Sequence, residues 1–336
     1  DQPRSRGLGD VYKRQHQNFP GQFRYSATAL GAAGVHQVVA LGITAPGFQT
    51  PGVTIGRYTI KRKPVQDVPP LVQDFQTKTI RGEAAAAAAL ELKRKGFNPD
   101  VMVVHPGWGE QLFLKDVWPE ARMLCFMEFF YRSEGLDTNF DPEFSVDTIA
   151  GRARTRIKNA NHLLALDASD WNYSPTRWQQ SSLPALHQPR TSVIFDGIDT
   201  DFIVPDASAS LTLPDGRSVT AGDEVLTFVN RNLEPYRGFH VFMRALPQIQ
   251  KERPNAITLI VGGDEISYGT MPKGGSNWRA VMLAEVGDRL DLSRIVFLGR
   301  IPYGEYRKLI QVSRVHAYLT YPFAVSYTHL RAHETE

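Results

Sequence analysis

Short apolar runs alternate with longer amphipathic stretches along most of the chain. Gln37-Val38-Val39-Ala40-Leu41-Gly42 reads as a buried strand that stops at glycine. Arg81 to Lys95, with its alanine run, reads as a helix closed by Gly96. Val101 to Val104 is the next strand and ends at His105-Pro106-Gly107, and Arg122 to Met127 is another, ending at Glu128. A helix is predicted over Val146 to Asn159, and strands over His162 to Leu166 and Ser192 to Phe195. Asp196 to Asp223 breaks the alternation. It is loop-like, and Asp215-Gly216 inside Leu213 to Val219 marks a hairpin turn.

The alternation then restarts. Strands are predicted over Val225 to Val229, Ile257 to Val261, Arg294 to Leu298 and Val315 to Leu319, with helices over Gly238 to Lys251 and Tyr303 to Val312. Two strand-helix series separated by a linker predict an α/β protein with two parallel-sheet domains. The expected bounds are 16–195 for the first domain, 196–223 for the linker and 224–324 for the second. Ligands of such sheets bind beyond the carboxyl ends of the strands, so functional residues are expected just after each strand.

Composition adds few constraints. The 336 residues are 42% hydrophobic and 22% charged, with a formal net charge of +3, ordinary values for a soluble globular chain. No Lys/Arg block points to nucleic acid. No apolar run of about 18 residues and no signal pattern appears, so a cytoplasmic enzyme is the default. The single cysteine, Cys125, lies in the apolar run Met123 to Met127 and is expected to be buried.

The two ends stand apart. A back-translation of Ser5 to Gln15, reverse-complemented and read in a shifted frame, encodes Val-Ser-Tyr-Thr-His-Leu-Arg-Ala-His-Glu, which is Val325 to Glu334. The ends are similar to one inverted transposon-type sequencing adapter. Residues 1–15 and 325–336 are therefore expected to be non-native, and His329, His333 and Glu334 to carry no chemistry. On this reading the first domain lacks its first strand and the second domain is incomplete.

The remaining chain resembles family 4 glycosyltransferases (group 1) of the GT-B fold, which have two facing Rossmann-like domains. The resemblance runs through His16-Gln17-Asn18-Phe19-Pro20-Gly21-Gln22-Phe23, His105 to Glu110, Ser174 to Trp178 and Asp196 to Thr200. It is strongest in Asn230-Arg231-Asn232-Leu233-Glu234-Pro235-Tyr236-Arg237-Gly238, which is similar to the family's donor-phosphate loop. Each motif is weak alone; their order over 16–324 carries the assignment.

The resemblance implies a retaining transfer of a hexose from a nucleotide-sugar donor to a glycan or lipid-linked acceptor, with the donor as substrate and no metal. Arg231 and Arg237 would hold the donor phosphates, Arg237 standing where the family usually has lysine. Arginine suits this role because its forked guanidinium stays charged. Spacing alone also allows two solvated arginines. Backbone amides near Gly238 would add anion stabilisation. Gly21 would let the backbone approach the donor, or is an ordinary turn. Gly262 and Gly263 would line the donor site, or form a tight turn.

His105 is either a base or sugar ligand, or a structural histidine. Glu128 departs from the family's histidine and could accept hydroxyl hydrogen bonds. Asp199-Thr200-Asp201 matches the Asp-x-Asp metal pattern but is read as a false match, with Asp199 capping a short helix. The family's Glu-x7-Glu segment is absent before Val325, which predicts weak donor binding and little turnover. A phosphorylase or nucleotide-sugar epimerase of the same fold, and a catalytically silent glycan- or nucleotide-binding module, stay open as alternatives. So does peripheral association with the inner face of a membrane, for which no helix in the sequence argues clearly.

Overall fold

The computed structural model describes residues 11–13, 21–43, 51–65, 67–136, 138–145, 147–197, 199–267, 269–272 and 276–321. The proposed adapter residues lie outside this set, apart from Val11 to Lys13. So does His16 to Pro20 of the first motif. The chain divides into two compact units between positions 197 and 198.

The first unit is a seven-stranded parallel sheet with helices between its strands. Its strands are β1 (Val11–Lys13), β2 (Val38–Gly42), β3 (Val53–Arg57), β4 (Val101–Val104), β5 (Arg122–Phe126), β6 (Trp171–Ser174) and β7 (Thr191–Val193). Its helices are α1 (Arg24–Ala32), α2 (Gln73–Arg94), α3 (Leu114–Val117), α4 (Ile149–Lys158), α5 (Ala160–Ala168) and α6 (Arg177–Ser182). The spatial order is β3-β2-β1-β4-β5-β6-β7. The core gathers Val39, Leu41, Met102, Val104, Met123 and Cys125 from the sheet with Ala85, Ala89 and Leu166 from α2 and α5. Cys125 is buried as expected, and desolvation drives its thiol pKa far up, so it behaves as a small hydrophobe.

Val11–Lys13, within the residues assigned to the adapter, occupies the slot between β2 and β4 where the native first strand is expected to be missing, with Tyr12 opposite Val39 and Met102. A slot between two parallel strands offers backbone partners on both sides, which three residues of extended chain satisfy. One expectation is corrected: His162 to Leu166 is helix α5 and not a strand. His162, Ala165 and Leu166 are buried while Leu163 and Leu164 are about half exposed. That is the i, i+3, i+4 period of a helix, compressed into a run too short for periodicity to show.

The second unit has strands β8 (Ser210–Thr212), β9 (Ser218–Thr220), β10 (Val225–Asn232), β11 (Ile257–Gly263), β12 (Ile295–Gly299) and β13 (Val315–His316), and helices α7 (Phe239–Glu252), α8 (Trp278–Val286) and α9 (Tyr303–Val312). The predicted hairpin is β8 against β9, with Gly216 at φ +86° in its turn. The remaining strands form a parallel sheet in the order β12-β11-β10-β13. Phe228, Phe239, Phe242, Met243, Leu246 and Ile260 fill the space between this sheet and α7, with Phe228 stacked on Phe242 at 4.5 Å between ring centroids.

Candidate functional site

In each unit the predicted residues gather at the carboxyl ends of the parallel strands, where such sheets bind ligands. In the first unit, β4 runs into His105-Pro106-Gly107-Trp108-Gly109. The Gly107 amide donates to His105 Nδ1 at 3.0 Å. Nδ1 is therefore the acceptor nitrogen, and the neutral ring carries its proton on Nε2, which donates to Glu128 Oε2 at 3.1 Å. Glu128 leaves the end of β5. Its main-chain carbonyl accepts from Gln179 Nε2 at 2.7 Å, and Gln179 is fully buried and held by Thr176 at the start of α6. His105 and Glu128, two separate candidates in the sequence, thus form one ordered pair.

Asp196, three residues beyond β7, joins this pair electrostatically. Burial pushes its carboxyl pKa up to about 7, and the negative charge of Glu128 adds to the shift while His105 opposes it. Sequence reasoning treated Asp196 only as part of a loop motif. Nothing local in Phe195-Asp196-Gly197 signals that its carboxyl senses groups about 70 and 90 positions earlier.

The turn bearing His105 is clamped from below. Asn161 Nδ2 donates to the Pro106 carbonyl, and Lys78 Nζ donates to Asn161 Oδ1 at 3.0 Å while pairing with Asp74 at 2.7 Å. Glu110, fully buried, accepts from the Tyr58 hydroxyl at 2.7 Å. Gly82 of α2 permits this close approach, because a Cβ there would stand 2.9 Å from the Gly109 carbonyl oxygen. His162, beside this cluster, is held neutral: burial and the Lys78 charge push its pKa down to about 3. Gly21 opens the turn into α1 with φ +43°, a conformation that suits glycine.

In the second unit, Arg231 is exposed at the end of β10, whereas Arg237 is 1% exposed, among the most deeply buried large side chains. The six-residue spacing therefore puts the two arginines in different environments. Gly238 follows with φ +72° and caps α7. A Cβ on it would sit 2.3 Å from the Leu319 carbonyl oxygen, so no other residue fits there without displacing the chain.

Gly262 and Gly263 end β11 against the same loop. A Cβ at Gly262 would meet the Leu233 side chain at 2.7 Å, and one at Gly263 would meet Asn232 Oδ1 at 2.6 Å and Arg300 Nε at 2.8 Å. Asn232 is buried. It accepts from Arg300 at 3.0 Å and donates to Ser267 Oγ at 2.7 Å. Glu234, fully buried, accepts from the main-chain amides of Ser267 and Gly269 at 3.3 and 3.0 Å. Arg300, Asn232 and Glu234 are site residues that sequence reasoning missed, since each acts through partners 33 to 68 positions away. Asp199 takes a local role: its carboxylate accepts from the Phe202 amide at 3.0 Å, as a cap does.

Residues 34–203, half of the chain, match the model of the glycosyl transferase family 4 group, and the chain belongs to that family. Comparison with curated protein sequences gives no match. Among solved structures, the chain is similar to a sucrose-phosphate synthase from Thermosynechococcus elongatus, at 18% identity and TM-score 0.65 over 96% of this chain and 75% of that one. It is also similar to a structure described as trehalose-6-phosphate from E. coli bound with UDP-2-fluoro glucose, at 10% identity and TM-score 0.56 over 94% and 79%. A third is the catalytic domain of starch synthase IV from Arabidopsis thaliana, bound to ADP and acarbose, at 15% identity and TM-score 0.51 over 92% and 76%. These likenesses give the GT-B fold, and the family makes the chain a glycosyltransferase. No helix among the described residues is long and apolar enough to cross a membrane.

Proposed function

We propose that this glycosyltransferase moves a hexose from a nucleotide-sugar donor to a glycan or lipid-linked acceptor with retention of configuration and without a metal. The observation that carries the reading is Arg231, an exposed guanidinium at the carboxyl end of β10, seven residues ahead of the glycine that opens α7. In the transfer the bond from the sugar C1 to the donor phosphate oxygen breaks, a bond from C1 to the acceptor oxygen forms, and the acceptor hydroxyl's proton passes to the departing diphosphate. Charge grows on the departing diphosphate. Arg231 and the first amides of α7 neutralise it, with Arg237 as the buried second cation of the loop and Gly238, Gly262 and Gly263 keeping the backbone close. The E. coli structure bound with UDP-2-fluoro glucose supports a nucleotide sugar as the donor class.

In the first unit Glu128 accepts the hydrogen bond of an acceptor hydroxyl, with His105 fixing its orientation. Asp196, titrating near neutrality, supplies a donor beside it. Gly21 leaves room for the donor backbone contact. The test is transfer measured over a panel of nucleotide sugars, with R231A as the variant. Loss of transfer by about 100-fold, with an unchanged melting temperature, is expected for one lost charge-assisted contact to a phosphate. Unchanged transfer removes Arg231 from the donor site.

A further inference from the structure

Lys78 is an uncommon neighbour for the turn that carries His105. Its side chain is almost wholly buried, and a buried ammonium stays charged only where it is paired. It meets Asp74 at 2.7 Å on one side and Asn161 Oδ1 at 3.0 Å on the other. A lysine ammonium can only donate, so it admits only the oxygen of the Asn161 amide on its side. Asn161 is fully buried, and its Nδ2 is thereby turned to the Pro106 carbonyl, to which it donates. The charge of Lys78 thus decides which way round the Asn161 amide sits.

The Pro106 carbonyl and the Gly107 N–H belong to one planar peptide unit, in which they point opposite ways. Holding the carbonyl oxygen toward Asn161 therefore aims the Gly107 N–H at His105, where it donates to Nδ1 at 3.0 Å. The Gly109 amide donates to the same carbonyl at 3.3 Å and closes the turn. Two glycines let the parts touch. A Cβ at Gly107 would stand 2.6 Å from His105 Cε1, and one at Gly109 would stand 2.4 Å from the Lys78 carbonyl oxygen. The ring lies against Gly107, and the far end of the turn lies on the Lys78 backbone.

We infer that Lys78, acting through Asn161 and the Pro106–Gly107 peptide, selects the His105 tautomer: Nδ1 is kept free of a proton and Nε2–H is aimed at Glu128. Glu128 favours the same tautomer from the opposite side of the ring, so His105 is set twice. With the proton on Nδ1, the Nε2 lone pair would face the Glu128 carboxylate and turn it away. Lys78 and Asn161 are positioning residues, acting on the site only through His105. The effect on transfer rests on the proposed role of Glu128 toward the acceptor; the selection of the tautomer does not.

The test separates the two. Nitrogen-15 spectra of the histidine-labelled full chain, recorded at about pH 8.5, where histidine is ordinarily neutral, show which ring nitrogen carries the proton. Loss of a signal in H105Q identifies His105 among the nine histidines. In E128Q the side chain at 128 can donate or accept and no longer selects a tautomer. His105 should still hold its proton on Nε2 there, whereas E128Q/N161D and E128Q/K78M should show both tautomers. K78R, which also only donates, should restore the single form. A ring that already mixes tautomers in E128Q overturns the inference, and so does one that stays single in both double variants. The E128Q arm leaves the buried cluster intact, so it decides the matter even if the double variants fail to fold. In transfer assays K78M should lower acceptor kcat/KM about tenfold, the scale of one hydrogen bond to a charged group, with donor affinity unchanged and K78R near wild type. Tautomers that respond as expected while K78M transfers normally uphold the inference and remove Glu128 from the acceptor site.

Discussion

The carboxyl ends of the two sheets are built alike and carry different side-chain chemistry. Beyond β4, β5 and β7 of the first unit stand a histidine and two carboxyls, with His105 donating to Glu128 and Asp196 sensing both. At the end of β10 in the second unit stands the exposed guanidinium of Arg231, and beyond β12 stands Arg300, paired with Glu265, beside glycines at Gly238, Gly262 and Gly263. Under the proposed function the same topological position serves two substrates of different chemistry. Groups that accept hydroxyl protons suit a neutral sugar alcohol, and an exposed arginine beside bare backbone suits a diphosphate. Fold similarity alone would not distinguish them; the side chains do.

The comparison breaks most severely at Gly238. G238V forces a branched side chain onto φ +72° and into the Leu319 carbonyl. A stability loss of about 3 kcal/mol or more is expected, read from urea denaturation. G216V has φ +86° but nothing within 4 Å of its Cβ, and should cost about 1 kcal/mol from backbone strain alone. Equal losses would mean that the close packing at Gly238 contributes nothing.

R231A sharpens the donor side. Beyond the lost transfer, donor affinity should fall while acceptor KM stays constant. E128Q is the mirror test. It keeps the shape and loses the charge, so kcat/KM for the acceptor should fall about tenfold, on the scale of one charged hydrogen bond, with donor affinity unchanged. If E128Q weakened donor binding instead, the division of labour between the two edges would be wrong.

Two groups of the first unit titrate in opposite directions. His162 has a folded pKa depressed to about 3, below its unfolded value. Its contribution is present above about pH 6.5 and is lost as pH falls, by about 1.4 kcal/mol per unit. Asp196 has a folded pKa raised to about 7, so its contribution is present below the ordinary carboxylate range and is lost as pH rises toward 7. Between those limits the slopes oppose one another. H162L should therefore leave stability falling as pH rises, and D196N should leave it rising, both followed by thermal melts across pH 4 to 7.5. The smallest effect expected is on catalysis: D196N should remove an inflection near pH 7 from the acceptor kcat/KM profile and leave its plateau within about threefold.

Much of the fold was legible in the sequence, for a definite reason. Strands of parallel sheets are buried on both faces, so β2, β4, β5, β10 and β11 appear as unbroken apolar runs that end at glycine or at a site residue. Where that reason fails, so did the reading. β6 has the sequence Trp-Asn-Tyr-Ser and is held through Asn172 and Ser174, which bond Arg190 and Met127 across the sheet. Such a strand has no apolar signature. α5 presents the converse case, with apolar residues on its exposed face. The site was half legible. The rule that ligands meet strand ends points to His105, Glu128, Arg231 and Gly263, while Asn161, Asp196, Glu234 and Arg300 acquire their roles only through long-range contacts.

Glu234 grips the segment after β11 by the main-chain amides of Ser267 and Gly269, not by their side chains. An anchor of that kind is by itself indifferent to the identity of the residues it holds. Ile266 and Thr270 can change without touching this anchor, whereas Ser267, whose hydroxyl accepts from Asn232, and Gly269, where a Cβ would stand 3.3 Å from Glu234 Oε2, are tied to it by more than their amides. The course of the segment is thereby set chiefly through its backbone, at one buried carboxylate.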